Sequence, residues 1–289
     1  MLQVFQIVFP IFAIVGLGYA YALRHGPDMA SANRLNLEIF TPALIFSVLT
    51  GEGFELARYA DLAVAAAIVV LGSGLLAWPV VRAFGFSSRV FLPPMMFNNS
   101  GNMGLPLALF AFGEAALPAA MILFLVENTL HFTVGNAMLT GHVNPLKLLK
   151  MPMLAATLAG LAVATFSLPV PGPLHEAIDL LGQIAIPLML FALGVRMTGV
   201  DFADWRIGLV GAVVCPASGL LVALAVVAWI PLSEIQLAQL VVFAALPPAV
   251  LNFMLAERYG IAPRQVAAIV LLGNLVSLAV LPAVLFFVL

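Results

Sequence analysis

Apolar runs about 20 residues long follow one another along the whole chain, separated by connections of only a few residues. A helix of about that length crosses the hydrocarbon core of a bilayer. One such run can be the core helix of a soluble protein. A succession of them, in a chain that is 64% hydrophobic and 8% charged, describes a polytopic membrane protein instead. The expected fold class is therefore an all-α membrane protein with ten transmembrane helices, at about 2–23, 30–50, 59–83, 88–112, 116–139, 146–168, 174–197, 206–230, 233–257 and 264–288. The connections leave no room for a separate soluble domain. The first run begins at Leu2 with no basic stretch before it, so it reads as a retained helix. The single cysteine, Cys215, excludes an internal disulfide and argues against cysteine-based metal sites.

Basic residues mark the cytoplasmic ends of membrane helices. With the N-terminus outside, the odd-numbered connections and the helix ends beside them carry Arg24, Arg34, Arg82, Arg89, Lys147, Lys150, Arg196, Arg206, Arg258 and Arg264, and only Arg58 falls on the other side. Ten spans then place both termini outside.

The second span contains FTPALIFSVL (40–49) and the seventh AIPLMLFAL (185–193); superposing Pro42 on Pro187 also superposes Phe46 on Phe191. The same shift of 145 residues pairs Pro118 with Pro263 and lays the fourth span, with GNMGLP, over the ninth, with ALPPAV. Five spans per half is an odd number, so the second half enters the membrane upside down relative to the first. The expectation is an inverted repeat, 1–140 and 146–289, within one transporter domain.

Both matched spans carry helix breakers in mid-membrane: Gly101, Gly104 and Pro106 in NNSGNMGLPL (98–107), and Pro247 and Pro248 in the ninth span. Backbone groups freed there cannot face lipid; they are buried in protein or line a wet cavity. Paired breaks in inverted halves point to a binding site at the midplane. A half-helix N-terminus carries free N–H groups and about half a positive charge, so it binds carboxylates without a basic side chain. Pro106 suits the first turn of one such half-helix, and Pro247 or Pro248 that of the other. Asn98, Asn99, Ser100 and Asn102 add side-chain donors, and Asn252 is a further polar position. The reading is a small organic anion between two helix N-termini; a cation held by the carbonyl ends competes with it. Glu127 lies near mid-depth of the fifth span, with Asn128 beside it and His131 one turn on. A carboxyl at that depth can carry a proton and couple it to transport, with His131 as relay, or can be a structural partner of His131. Asn274, in the tenth span, falls beside Asn128 in the repeat. Asn36, Glu38, Asp179 and Gln183 are placed nearer an interface.

NNSGNMGLPL (98–107), IAIPLMLFALGVRM (184–197) and ALPPAVLNFMLAERYGIAP (245–263) resemble the auxin efflux carrier family, plant PIN carriers and bacterial carriers of malonate, malate and related acids. The resemblance covers essentially the whole chain. It implies crossed, broken fourth and ninth helices, as in bile-acid symporters and sodium–proton antiporters. It also implies a scaffold of spans 1, 2, 6 and 7 and a moving transport domain of spans 3–5 and 8–10. By resemblance, Asn99 and Pro106 match the fourth-helix asparagine and proline, and Pro247 or Pro248 the ninth-helix proline. The family's asparagine–proline pair opening the sixth helix is replaced by Met151 in KMPMLAATLAG (150–160), or is matched by Asn144 and Pro145 just upstream.

The function expected is an elevator-type secondary transporter of a small mono- or dicarboxylate in the bacterial inner membrane, proton-coupled through Glu127. The alternatives are a voltage-driven uniporter, a sodium symporter and, behind them, a sensor without transport. The four histidines are scattered, and neither HExxH nor GxSxG occurs, so no enzyme is expected. No cofactor, metal or nucleic acid is implied; the partners are the anion, membrane lipid and, by resemblance, a second copy in a homodimer.

Overall fold

The computed structural model describes residues 2–51, 54–142, 150–198 and 204–289. Asn144, Pro145 and Lys147 lie outside these residues. All regular structure among them is helical: α1 (Leu2–His25), α2 (Ala30–Leu35), α3 (Thr41–Thr50), α4 (Ala60–Phe84), α5 (Ser88–Met96), α6 (Leu105–Phe112), α7 (Leu117–Leu130), α8 (Asn136–Thr140), α9 (Pro152–Phe166), α10 (Gly172–Gln183), α11 (Ala185–Arg196), α12 (Trp205–Val227), α13 (Glu234–Ala244), α14 (Val250–Tyr259) and α15 (Pro263–Val288). Among the described residues, six helical stretches are long and apolar enough to cross a membrane: Val4–His25, Leu56–Phe84, Glu114–Thr140, Gly172–Arg196, Trp205–Val227 and Pro263–Val288. Three shorter apolar helices, Ser100–Phe112, Pro152–Phe166 and Glu234–Ala244, lie among them. The helix starts follow local chemistry. Ser233 and Gln236 form a capping box on α13. Prolines occupy the first turns of α9, α10 and α15, where their missing N–H costs nothing.

The polarity of the molecule is that of a membrane protein. Leu75, Leu221, Leu224 and Phe287 face outward, whereas Asn99, Ser100, Glu127, His131, Asn252 and Asn274 are buried. Water would not tolerate the first set exposed together, and lipid accepts it. Burial of the second set requires partners inside the protein.

Two groups of helices pack closely within themselves. α1 lies along α11, and α3 lies against α9 and α10. Here Gly18 meets the backbone of Phe191, Gly194 that of Val15 and Tyr19, and Gly182 that of Leu44. In the other group α12 packs on α15 and α4, and α4 on α5 and α7. Gly208 meets the Ala268 carbonyl and Gly219 the Ala244 carbonyl. Small residues at these places let backbones touch, which is the main source of packing energy between helices in lipid.

Candidate functional site

α5 ends at Met96, and the chain runs extended through Phe97 and Asn98 before the helical stretch Ser100–Phe112. α13 ends at Ala244, and the chain reopens through Leu246, Pro247 and Pro248 before α14. The two openings meet. Asn98 and Pro248 form an antiparallel bridge, in which the Asn99 N–H donates to the Pro247 carbonyl (2.7 Å) and the Ala249 N–H to the Phe97 carbonyl (3.0 Å). The two prolines occupy positions that need no N–H in this pairing. Pro106 lies inside its half-helix, behind a π-turn at Ser100–Gly104, and Pro247 and Pro248 precede α14. Pro106 is in the first turn of α6, as the sequence suggested, whereas Pro247 and Pro248 stand ahead of the first turn of α14; the turns that open toward the crossing begin at Ser100 and Val250.

Side chains complete the crossing. Asn98 Nδ2 donates to the Phe243 carbonyl (3.1 Å) in the last turn of α13, which also accepts from the Leu246 N–H (3.2 Å). Asn252 Nδ2 donates to the carbonyls of Phe97 (2.9 Å) and Ala249 (3.0 Å). Asn99 Nδ2 donates to Asn274 Oδ1 (3.3 Å), and Asn274 Nδ2 donates to the carbonyls of Pro248 (3.2 Å) and Val270 (2.7 Å).

A cavity of about 140 Å³ opens on one side of the crossing. That is room for on the order of ten waters, or for one small organic molecule. Asn98, Asn99, Ser100, Asn102, Glu127, Asn128 and His131 line it together, as do Ala249, Val250 and Leu251 at the start of α14. Both half-helix N-termini therefore border one space, and their first N–H groups have no partner within the helix. Pro106, Pro247, Pro248, Asn252 and Asn274 are not on this wall; Asn274 lines a second cavity of about 550 Å³ beyond α14. Gly101 is needed where it is, since a Cβ there would stand 2.9 Å from the Phe124 ring.

Glu127 is buried, with the Ser100 hydroxyl and the Asn98 main chain as its polar neighbours. His131 keeps the helical i, i+4 relation to Glu127, its N–H reaching the Glu127 carbonyl, and a π-turn begins at His131. Its ring stacks on Phe97, with centroids 4.2 Å apart and planes 7° apart. Asn252 is its polar neighbour, and among the described residues neither His131 Nε2 nor Asn252 Oδ1 has a hydrogen-bond partner. Asn128 Nδ2 donates to the Phe124 carbonyl (2.9 Å) within its own helix.

The sequence reading passed over Thr41 and Arg196 as site residues and set Asn36 nearer an interface. Asn36 is buried and lines the cavity with Thr41, and among the described residues Asn36 Oδ1 and Thr41 Oγ1 have no hydrogen-bond partner. Arg196, read as an orientation marker, reaches the cavity from the end of α11. The neighbours once grouped with Asn36 do stay peripheral: Glu38 pairs with Arg34 at 3.8 Å, and Asp179 accepts from Ser47 (2.6 Å) and Gln183 (2.8 Å). A signal common to the site is the π-turn. The described π-turns, Asn36–Phe40, Ser100–Gly104 and His131–Gly135, each put residues on this cavity wall. Such turns are rare and concentrate at functional sites.

The sequence profile of a family described as "Membrane transport protein" matches residues 137–285. A protein of Rhizobium meliloti (strain 1021), "Putative malonate transporter", is 30% identical, and the alignment covers all of this chain and 97% of that one. Transport across a membrane, and not enzymatic turnover, is the work of such proteins. With a match over half of the chain and a full-length relative, this chain belongs to the membrane transport protein family, the auxin efflux carrier group that its crossing motifs resemble.

Proposed function

We propose that the protein is a secondary transporter of a small organic anion, a mono- or dicarboxylate, that carries a proton on Glu127. The observation that carries this reading is the meeting of two half-helix N-termini and one buried carboxyl on a single cavity wall. The N-termini attract a carboxylate. An anion bound there and an ionised Glu127 repel each other, so the site takes the anion together with a proton. A ligand bound in this way shifts the two-faced equilibrium of the carrier only through such differential contacts. The relative's name makes malonate the first substrate to try.

The ten-span, inverted-repeat architecture is part of the proposal. The crossing maps onto itself when Phe97, Asn98 and Asn99 are exchanged with Pro247, Pro248 and Ala249, which supports a twofold relation of the halves. The glycine contacts with backbone of other helices stay within spans 1, 2, 6 and 7 or within spans 3–5 and 8–10, which supports a scaffold and a transport domain that move as units in an elevator. The cavity lies between the two groups. Asn33 and Arg196 line it and sit at span ends assigned to the cytoplasm, so the cavity is read as open to that side of the inner membrane, with both termini outside.

A voltage-driven uniporter is the second reading, favoured by the contacts of Glu127 with Ser100 and Asn98, which give it a structural use. Purified protein in liposomes separates the two. Uptake of labelled malonate, malate and lactate is followed under an imposed pH gradient or voltage, with empty liposomes correcting for passive entry of the neutral acids. Saturable uptake that follows the pH gradient and fails in Glu127→Gln supports the proton-coupled carrier. Saturable uptake driven by voltage and intact in Glu127→Gln makes it a uniporter. No saturable uptake of any acid removes the carboxylate assignment.

A further inference from the structure

We propose that Arg196, with Thr41, forms a second anion-holding wall that grips the far carboxylate of a dicarboxylate whose near carboxylate lies at the half-helix N-termini. The proposal rests on the carboxylate reading above and adds the residue that tells two-ended acids from one-ended ones.

The two walls come from different parts of the fold. Asn98, Asn99, Ser100 and Asn102 stand on the crossing, whereas Asn36, Thr41 and Arg196 come from the second span and the end of α11. Arg196 is half-buried, and its Nη1 donates to the sulfur of Met254 at 3.5 Å. A thioether is a weak acceptor, and a guanidinium has five N–H donors, so most of its capacity is unspent. Among the described residues no carboxylate pairs with it. Thr41 Oγ1, buried and without a partner among the described residues, is a hydroxyl able to donate to an anion; the unpartnered atom of buried Asn36 is Oδ1, an acceptor, so Asn36 lines the cavity without holding the anion. Buried polar groups without partners are uncommon in folded proteins, and a ligand is one explanation of such a group. The cavity is smaller than the several hundred Å³ of drug-sized sites, so both ends of a short acid come within reach of both walls. A planar guanidinium matches a carboxylate in two-point geometry, which an ammonium does not.

The test measures, in proteoliposomes, the KM for labelled malonate and the inhibition constant of monomethyl malonate against it, in wild type, Arg196→Gln and Arg196→Lys. The expected result is a malonate KM raised about 10- to 100-fold in Arg196→Gln with the monomethyl ester's inhibition constant changed less than about threefold, and partial recovery in Arg196→Lys. Preserved inhibition by the ester shows that the variant is folded. Equal weakening of both acids, or no change in either, overturns the proposal and leaves the carboxylate reading standing. Absence of saturable malonate uptake in wild type overturns both.

Discussion

The two sides of the crossing carry similar residues and use them differently. On the side of the first half, Ser100, Asn102 and Glu127 border an open cavity, and Asn98 and Asn99 border it too while their amides donate to the Phe243 carbonyl and to Asn274. On the side of the second half, Asn252 and Asn274 spend their amides on the carbonyls of Phe97, Pro248, Ala249 and Val270, within the crossing itself. On the proposed reading the first set is offered to a ligand, while the second holds the broken backbone in place, and the proposed repeat would be twofold in architecture with one-sided chemistry.

The most damaging change for this contrast is Asn99→Ala, because Asn99 belongs to both sets, lining the cavity and donating to Asn274. Saturable uptake should fall about 100-fold or more, read as initial rates in proteoliposomes. The next pair separates the two sides. Asn102 faces the cavity and takes no part in the crossing's hydrogen bonds, so Asn102→Ala should raise the substrate KM about tenfold and leave the melting temperature in detergent unchanged. Asn252→Ala should do the reverse, lowering stability by about 1–2 kcal/mol in a thermal melt with a near-normal KM in the protein that remains folded. If Asn252→Ala weakened binding as much as Asn102→Ala, the division of labour would be lost. The smallest effect belongs to His131→Phe, which keeps a ring against Phe97 and loses an Nε2 that has no hydrogen-bond partner among the described residues; uptake should change less than about threefold. A larger loss there would make His131 part of the proton path.

Much of this was legible in the sequence because depth and helix-breaking character are local properties. Run length located the six long apolar helical stretches among the described residues, and glycine and proline in mid-span marked both openings of the crossing. The asparagines and Glu127 stood out as polar groups that lipid would reject. What remained hidden depends on direction and partners. Arg196 sits near a span end, where a basic residue ordinarily marks the cytoplasmic face, and nothing in the sequence shows that its long side chain turns inward. Thr41 and Asn36 lie ahead of the second span's apolar run, and a π-turn there rotates the helix face without a composition of its own. Asn102 and Asn252 are the same residue type in matched spans; only the backbone around them makes one a wall of the cavity and the other a cap for the Phe97 carbonyl. The prolines marked the breaks correctly, but their place relative to the half-helix N-termini was set by the pairing of the two extended segments.

The most direct measurement follows the internal pH of proteoliposomes with a trapped dye while malonate is added outside, in wild type and Glu127→Gln, with empty liposomes as the correction. If one cavity takes the anion together with a proton on Glu127, wild-type vesicles acidify in step with saturable malonate uptake, and Glu127→Gln vesicles lose both the acidification and the response to a pH gradient. Saturable, voltage-driven malonate uptake without acidification, and equal in Glu127→Gln, would contradict the account.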